Sequence, residues 1–354
     1  MYGLSSFIVA NITIIFLGVL SYYLNSYSNS GIYFGVRIPN KFKELDEIKF
    51  LEKEYKKLIL ISFSVVIVLF NIIMFLGRRK GEGIASLVLG VTLIVALLIH
   101  GLVFVIYNKK TKKIKKEKNL NYIRNNVVIV DTTLRKAKKD ERYKPLKDWL
   151  YLSPIVIPIV LLFLTFSKKE YLYELGLNKI YNIPIIGMLM CMFMYVLAKI
   201  SLKSKVDLNS LNREKIIIKK KKIKKYISIF FLLSEVEVIL LYSIVQLGII
   251  YEFYTVRLIN YINVFISISM IAFVSVLLII GSSDREDFDE VNKCEDYRDD
   301  DDNWIWGMFY FNKNDPTFMI EKRVGIGYTV NFANKKSWIL FAFIIAFIIL
   351  MSFV

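Results

Sequence analysis

Glu235 and Glu237 lie in the apolar stretch "FFLLSEVEVILLYSIVQLGII" (230–250), inside a run that begins near residue 226. At about 1.5 Å of rise per residue, both come close to the middle of a hydrocarbon core. An ionised carboxylate at that depth costs several kcal/mol, so each group must be protonated, paired or turned towards water. Two residues apart is about 200° around a helix, so the pair cannot share a face. Ser228, Glu235, Tyr242 and Gln246 fall within about 20° of one line, whereas Glu237 stands among Leu233, Leu241 and Ile244. Glu235 is therefore the interior candidate, for an inter-helix hydrogen bond or for a proton, ion or ligand, and Glu237 reads as a helix-packing or neutral carboxyl.

His100 is the single histidine and lies in another apolar run, near Ala96 and Ser86. It is a candidate partner for Glu235 or a packing hydrogen bond, and with Glu235, Gln246 and Tyr242 it completes a candidate intramembrane polar site. One histidine leaves no His-Glu-x-x-His zinc motif. Serine nucleophile elbows and phosphate-binding Gly-Lys loops are absent as well. The residues offer no catalytic constellation, so the expectation is a non-enzymatic protein with no cofactor and no metal. The acidic run 284–302 holds eleven carboxylates, with four consecutive aspartates at 299–302. It lacks the central glycine and terminal glutamate of a calcium loop and reads as a solvated linker. Cys191 and Cys294 are the two cysteines, too few and too separate for a disulfide framework.

The elements that must position these residues are dictated by composition. A 354-residue chain with 55% hydrophobic residues and a mean hydropathy of +0.48 is too apolar for an ordinary soluble fold. Eight runs reach the roughly 20 residues needed to cross a hydrocarbon core: 4–24, 58–77, 84–107, 149–166, 183–202, 226–250, 259–281 and 337–354. Only helices satisfy the backbone in lipid without a closed barrel, so the fold class is an α-helical polytopic membrane protein with about eight transmembrane helices. The start "MYGLSSFIVANITIIFLGVL" has no basic n-region and reads as a retained first span.

With eight spans, the first, third, fifth and seventh connections share one face and carry 41 Lys and Arg, against 7 on the other. Basic connections resist translocation, so this face should be cytoplasmic and both termini outside. Arg78, Arg79 and Lys80 would then sit in an external turn, against the trend. The charge of +17 is chiefly this topology signal. "KKTKKIKKEK" (109–118) and "KKKKIKK" (219–225) would also attract anionic lipids at the cytoplasmic face. Neither run has the interleaved aromatics of a nucleic-acid surface, so no nucleic-acid partner is expected.

Short stretches of the cytoplasmic connections are written like strands: "VVIVDTT" (127–133), "KIII" (215–218), "WIWGMFYF" (304–311), "TFMI" (317–320) and "IGYTVNF" (326–332). "NKNDP" (312–316) is a hairpin turn, with Asn and Asp bonding their own backbone and Pro316 fixing φ. A lone hairpin is marginal in water, so these strands should join one small β-rich subdomain. Its aromatic face, Trp304, Trp306, Phe309 and Phe311, would rest on the membrane-proximal helices, or else dip into the interface as an aromatic belt. Gly325 and Gly327 form no dinucleotide fingerprint and suggest close backbone approach within a strand. The chain therefore divides into a seven-span bundle (1–281), an acidic linker with a cytoplasmic hairpin module (282–336) and a last helix (337–354).

"DDDNWIWGMFYFNKNDPTFMIEKRVGIGYTVNF" resembles the C-terminal signature of an uncharacterised bacterial membrane family, the domain of unknown function numbered fifty-eight-oh-eight. The residues that carry the likeness are Trp304, Trp306, Asp315, Pro316, Lys322, Arg323, Gly325, Gly327 and Asn331. Upstream, "YFGVRIPNKFKELDEIKFLEKEY" (33–55) and "VVIVDTTLRK" (127–136) resemble the partner segments of that family. Residues 149–184 correspond to the place of a second unknown domain, numbered sixteen-forty-eight, which also occurs in the immunity protein for the sporulation-delaying toxin. The resemblance implies a multi-pass protein of the bacterial plasma membrane with a binding or protective role, immunity-like or in envelope stress. The cytoplasmic β-rich subdomain itself invites a cytoplasmic protein partner. A transporter or channel with a polar path through Glu235, Gln246 and His100 is the alternative that the residues themselves keep open.

Overall fold

A computed structural model of the chain describes residues 4–28, 31–39, 42, 45–77, 82–120, 143–174, 181–202, 213–253, 256–282 and 300–353. In chain order these form α1 (Leu4–Tyr22), a 3-10 turn (Leu24–Tyr27), β1 (Ile32–Tyr33), β2 (Val36–Arg37), α2 (Asp46–Gly77) and α3 (Glu82–Glu117). Next come α4 (Asp148–Leu152), a 3-10 turn (Ser153–Ile155), α5 (Val156–Ser167), α6 (Lys169–Glu174), α7 (Asn182–Leu202), α8 (Arg213–Ile250) and α9 (Val256–Ser282). A 3-10 turn (Asp301–Asn303) leads into β3 (Trp304–Ile305), β4 (Phe309–Tyr310), β5 (Met319–Glu321), β6 (Tyr328–Val330) and α10 (Lys335–Phe353). Two compact units result, one of Met1–Lys138, Lys205–Ile217 and Val274–Asn334, the other of Lys139–Ser204, Ile218–Phe273 and Lys335–Val354.

Six helices among the described residues are long and apolar enough to cross a membrane: α2, α3, the α4–α5 segment, α7, α8 and α9. Eight were expected, and these six are the ones that meet the length and hydropathy of a span among the described residues. The described apolar stretch Phe7–Tyr22 of α1 is shorter, and α10 is not among the six. Both helices have 19 residues, close to the minimum for a hydrocarbon core of about 30 Å. The basic runs continue the helices beyond their apolar parts: 109–117 prolongs α3 and 219–225 lies near the start of α8. "KIII" (215–218) is therefore helical and not a strand, because it is the opening of a 38-residue helix. The strand expected at 127–133, the Arg78–Lys80 turn and Cys294 lie outside the described residues.

The first unit is organised by α2. Its buried residues Ile48, Leu51, Tyr55, Ile59, Phe63, Val66, Phe70 and Met74 recur every three or four positions, which places them on one stripe. That stripe packs with Ala10 and Ile14 of α1 and with Ala96, Val103, Phe104 and Tyr107 of α3. Between the stripe positions Leu60, Val68 and Leu76 are exposed, as expected of an apolar helix whose outer face meets lipid. Asn11 and Asn71 exchange side-chain hydrogen bonds of 3.2 and 2.9 Å across the α1–α2 contact. A paired amide of this kind fixes the register of helices that have little else to select it.

Among the described residues the β-rich part is three two-stranded antiparallel ribbons, β1–β2, β3–β4 and β5–β6, and not one sheet. A parallel bridge from Tyr310 to Asn331 links the last two. "WIWGMFYF" does not run as one strand; it folds back on itself, pairing Trp304 with Tyr310 and Ile305 with Phe309. The reason is its tip, where Trp306 (φ 53°) and Gly307 (φ 73°) take the left-handed conformation that reverses a ribbon. The β1–β2 ribbon turns in the same way through Phe34 (φ 47°) and Gly35 (φ 74°). "NKNDP" forms the expected side-chain turns, Asn312 accepting from the Asn314 amide at 2.9 Å and Asp315 from that of Thr317 at 2.9 Å. It joins two ribbons and does not close a hairpin.

The two aromatic-glycine tips meet. A Cβ on Gly35 would fall 2.5 Å from the Gly307 Cα, and one on Gly307 would fall 2.6 Å from Asn108 Nδ2 and 2.7 Å from the Gly35 Cα. This is the close backbone approach that the sequence suggested at Gly325 and Gly327, found at a different pair of glycines. Gly325 (φ 77°) and Gly327 (φ 112°) have open space around them and serve the chain reversal between β5 and β6. Gly307→Ala is expected to cost about 2 kcal/mol, since a backbone neighbour cannot swing aside as a side chain can. In amide hydrogen exchange, β3 and β4 should lose protection by roughly thirtyfold; unchanged protection would show that the tips are not in contact.

Candidate functional site

Asp300 and Asp301, the middle of the four-aspartate run, enter the first unit and not a solvated linker. Asp301 is buried, with its carboxylate accepting from Lys115 Nζ at 2.6 Å, from the Arg37 backbone amide at 3.1 Å and from Arg323 Nη1. Asp300 accepts from Arg323 Nη2 and pairs with Arg37 Nε at 3.2 Å. Arg323 also donates to the Gly35 carbonyl at 2.9 Å, and its guanidinium lies 5.0 Å from the centre of the Trp304 ring. The planar fork of arginine suits this arrangement, because it can engage two carboxylates and an aromatic face together. Residues from the β1–β2 ribbon, the basic end of α3, the acidic segment and the β5–β6 turn are thereby joined at one point.

The electrostatics follow from burial and charge acting in opposition. Burial pulls the Asp301 carboxyl upward, but the Arg323 and Lys115 charges and their hydrogen bonds outweigh it and hold the pKa below its ordinary value. Around this point the other signature residues have structural roles. Asn331, wholly buried, donates to the carbonyls of Asn312 (2.8 Å) and Asp315 (2.9 Å) and accepts from the Asn312 amide (3.1 Å). Tyr310 donates to Asp315 Oδ2 at 3.0 Å, and burial pushes its phenol up to about 12. The Pro316 carbonyl accepts from Asn334 Nδ2 at 3.1 Å, and exposed Lys322 gives its backbone amide to the Gly327 carbonyl at 3.0 Å.

The expected aromatic face is divided. Trp304 is buried and lies 5.1 Å from Tyr310, ring centre to ring centre. Trp306, Phe309 and Phe311 are 49%, 39% and 40% exposed, so they are not closed off as Trp304 is. Strand alternation explains this split: in a ribbon, successive residues face opposite sides, so Trp304 and Tyr310 turn inward while Ile305, Phe309 and Phe311 turn outward.

The second unit carries the apolar-embedded polar residues. Along α8, Ser228, Glu235 and Gln246 are all buried, as their shared helical line predicts. Tyr242 is only half-buried. Ser228 Oγ bonds with the Tyr151 hydroxyl of α4 and accepts from the Leu146 amide at 2.8 Å. Gln246 Nε2 donates to Thr165 Oγ1 of α5 at 2.7 Å. Between these two pairs stands Glu235, 1% exposed, with neither carboxyl oxygen hydrogen-bonded among the described residues. The buried Cys191 thiol of α7 is a polar neighbour of it. Glu237 accepts from the Ser269 hydroxyl of α9, the packing role expected of it. His100 belongs to the first unit and Glu235 to the second. Among the described residues no group of three or more His, Cys, Asp or Glu is placed to hold a metal ion.

Sequence reasoning did not find Arg37, Lys115, Asp300 and Asp301 as one cluster, since they come from chain positions as much as 264 residues apart. Thr165, Tyr151 and Cys191 were likewise not connected with α8; the signal available was that each is a hydrogen-bonding group within an apolar helix.

Asp301, held below its ordinary pKa, contributes stability that is fully present above that ordinary value and is lost as pH falls through the lowered one. The protection of the β5 and β6 amides, taken relative to their intrinsic exchange rate at each pH, should accordingly fall with acidification through the carboxylate range. Asp301→Asn should produce the same loosening at neutral pH, on the order of a hundredfold faster exchange, corresponding to about 3 kcal/mol for removing one partner of a buried ion pair. An Asn variant as protected as the native chain would remove the cluster from the fold's supports.

In comparison with known proteins, residues 313–338 match the model of a family of unknown function (DUF5808). The matched segment begins in the turn after β4, contains Asp315, Pro316, Lys322, Arg323, Gly325, Gly327 and Asn331, and ends at Trp338 in the first turn of α10. It covers under a tenth of the chain, and the likenesses to the domain numbered sixteen-forty-eight and to the immunity protein are not among the matches. No curated protein and no solved structure matches this chain.

Proposed function

We propose that this chain is an integral membrane protein of the bacterial plasma membrane that acts by binding and not by catalysis, in a protective, immunity-like or envelope-stress role. The observation that carries this reading is the buried cluster of Asp300, Asp301, Arg37, Lys115 and Arg323, which holds the ribbon module rigidly against the end of the α2–α3 pair. A module fastened in this way offers a fixed recognition surface at the end of an apolar helical anchor, and rigidity lowers the entropic cost of binding. The basic connections argue for a cytoplasmic placement of the module, both termini outside, and a cytoplasmic protein partner. Deleting the gene should sensitise cells to at least one membrane-active peptide. The wild-type chain should restore survival, and Arg323→Gln should not, although its helices still insert. Equal survival of the deletion and parent strains across a broad peptide panel would end the protective reading.

A second reading is favoured by one specific observation, the unsatisfied and fully buried Glu235. A carboxyl so placed is a proton or cation site in many membrane settings, and in this reading Gln246 and Thr165 continue the polar line. Glu235→Gln should then abolish proton-coupled flux in proteoliposomes while leaving the yield of folded protein unchanged. Flux of the native chain no greater than that of empty liposomes would rule transport out.

A further inference from the structure

The outward side of the β3–β4 ribbon combines three features that the ion cluster does not account for. Ile305, Trp306, Phe309 and Phe311 are each between 39% and 49% exposed, on a ribbon whose other side is closed by Trp304 and Tyr310. Trp306 packs edge-on to Phe309 at 6.2 Å, and Phe309 edge-on to Phe332 at 5.5 Å, so these three rings form one continuous cluster. Trp306 further holds a left-handed backbone conformation, which costs a bulky residue about 1–2 kcal/mol. Phe34, at the equivalent tip of the β1–β2 ribbon, offsets that cost by burying its ring among Tyr55, Phe104 and Tyr107. Trp306 has no such burial. Strain retained at an exposed aromatic points to a contact outside the chain.

The level of the ribbon along the helices identifies the contact. On α3 the exposed apolar residues Leu98, Leu102 and Ile106 give way at once to exposed Lys109 and Lys110. On α2 the same border falls between exposed Lys57 and the exposed Leu58 and Leu60. Lys110 and Glu54 pair across the two helices at 3.2 Å just beyond it. Asn108 sits on this border, donating to the Phe34 carbonyl at 2.6 Å, and it is the side chain that a Cβ on Gly307 would strike. Trp306 is the next residue, with its Cα about 3.8 Å from that of Gly307. The exposed cluster therefore stands level with the line where α2 and α3 change from apolar to charged, the depth that tryptophan favours in a bilayer.

We propose that Ile305, Trp306, Phe309 and Phe311 are seated in the headgroup layer of the bilayer that surrounds α2 and α3, so that the ribbon is an interfacial anchor for the module. This rests on the reading of those helices as membrane-crossing. An aromatic ring has an apolar body for the acyl boundary, and the indole N–H of Trp306 has a polar layer to donate to. Lysines Lys109 and Lys110 beside the border complement the anionic headgroups of the same layer.

The test uses the full chain in nanodiscs, with Trp149→Phe and Trp338→Phe leaving two emitters, Trp304 and Trp306. Adding Trp306→Phe isolates the contribution of Trp306 by difference. That contribution should be quenched several-fold more strongly by lipids brominated in the upper acyl chain than by aqueous iodide. Strong iodide quenching without bromolipid quenching overturns the proposal by placing the ring in water. Shielding from both overturns it equally, because a protein surface or a second copy would then cover the cluster. As a check independent of tryptophan substitution, a spin label at Phe309→Cys, in a chain with Cys191→Ala and Cys294→Ala, should collide more with oxygen than with a soluble nickel chelate. The reverse ranking contradicts the interfacial position. Neither readout involves peptide sensitivity or flux, so the anchor and the proposed function stand or fall separately.

Discussion

A carboxylate withdrawn from water must be surrounded by positive charge and donors, and the first unit is arranged around meeting that demand for Asp301. Its partners are Lys115 at the basic end of α3, the Arg37 amide on β2 and Arg323 in the β5–β6 turn. Each comes from a different stretch of chain, so the carboxylate is satisfied only when all three stretches arrive together. A buried ion cluster of this kind adds little net stability over a well-packed apolar one, because desolvation offsets most of the attraction. What it imposes is specificity: any other placement of the ribbons would leave charges buried and unpaired. Asp300 and the ring of Trp304 extend the same condition, since both engage Arg323.

The contact of Gly35 with Gly307 depends on this cluster and completes it. Arg323 donates to the carbonyl of Gly35 itself, so the ionic and steric constraints act on one short turn. With no side chain on either glycine, the two ribbon tips come within backbone contact, and Asn108 of α3 closes the space beside them. Charge brings the segments together, and the absence of two methyl groups lets them meet. The outward rings of β3–β4 are left exposed by the same geometry that buries Trp304.

The second unit solves a different problem with fewer charges. Its polar groups on α8 are satisfied in pairs by neighbouring helices, Ser228 with Tyr151 and Gln246 with Thr165. Glu237 finds Ser269. Glu235 alone among these keeps both oxygens unpaired within the described residues, which is why it carries the second functional reading. In an apolar surrounding such a group persists in a sequence only at a cost in stability.

By itself the sequence determined whatever depends on local periodicity or on the solvent preference of a run. It located the six long apolar helices, the buried line Ser228–Glu235–Gln246 on α8, the side-chain turns of Asn312 and Asp315, and a C-terminal signature at 300–332 that overlaps the segment 313–338 matching a family of unknown function. Hydropathy and helical angle are properties of neighbouring residues, so one chain suffices to read them. Only the tertiary structure decided that "WIWGMFYF" reverses at Trp306–Gly307, that "KIII" is helical, and that two aspartates of an apparently solvated linker are central to a buried cluster. Those outcomes depend on partners far away in the chain. The same aspartate is stable in water or between Arg323 and Lys115, and nothing in its own surroundings along the sequence distinguishes the two.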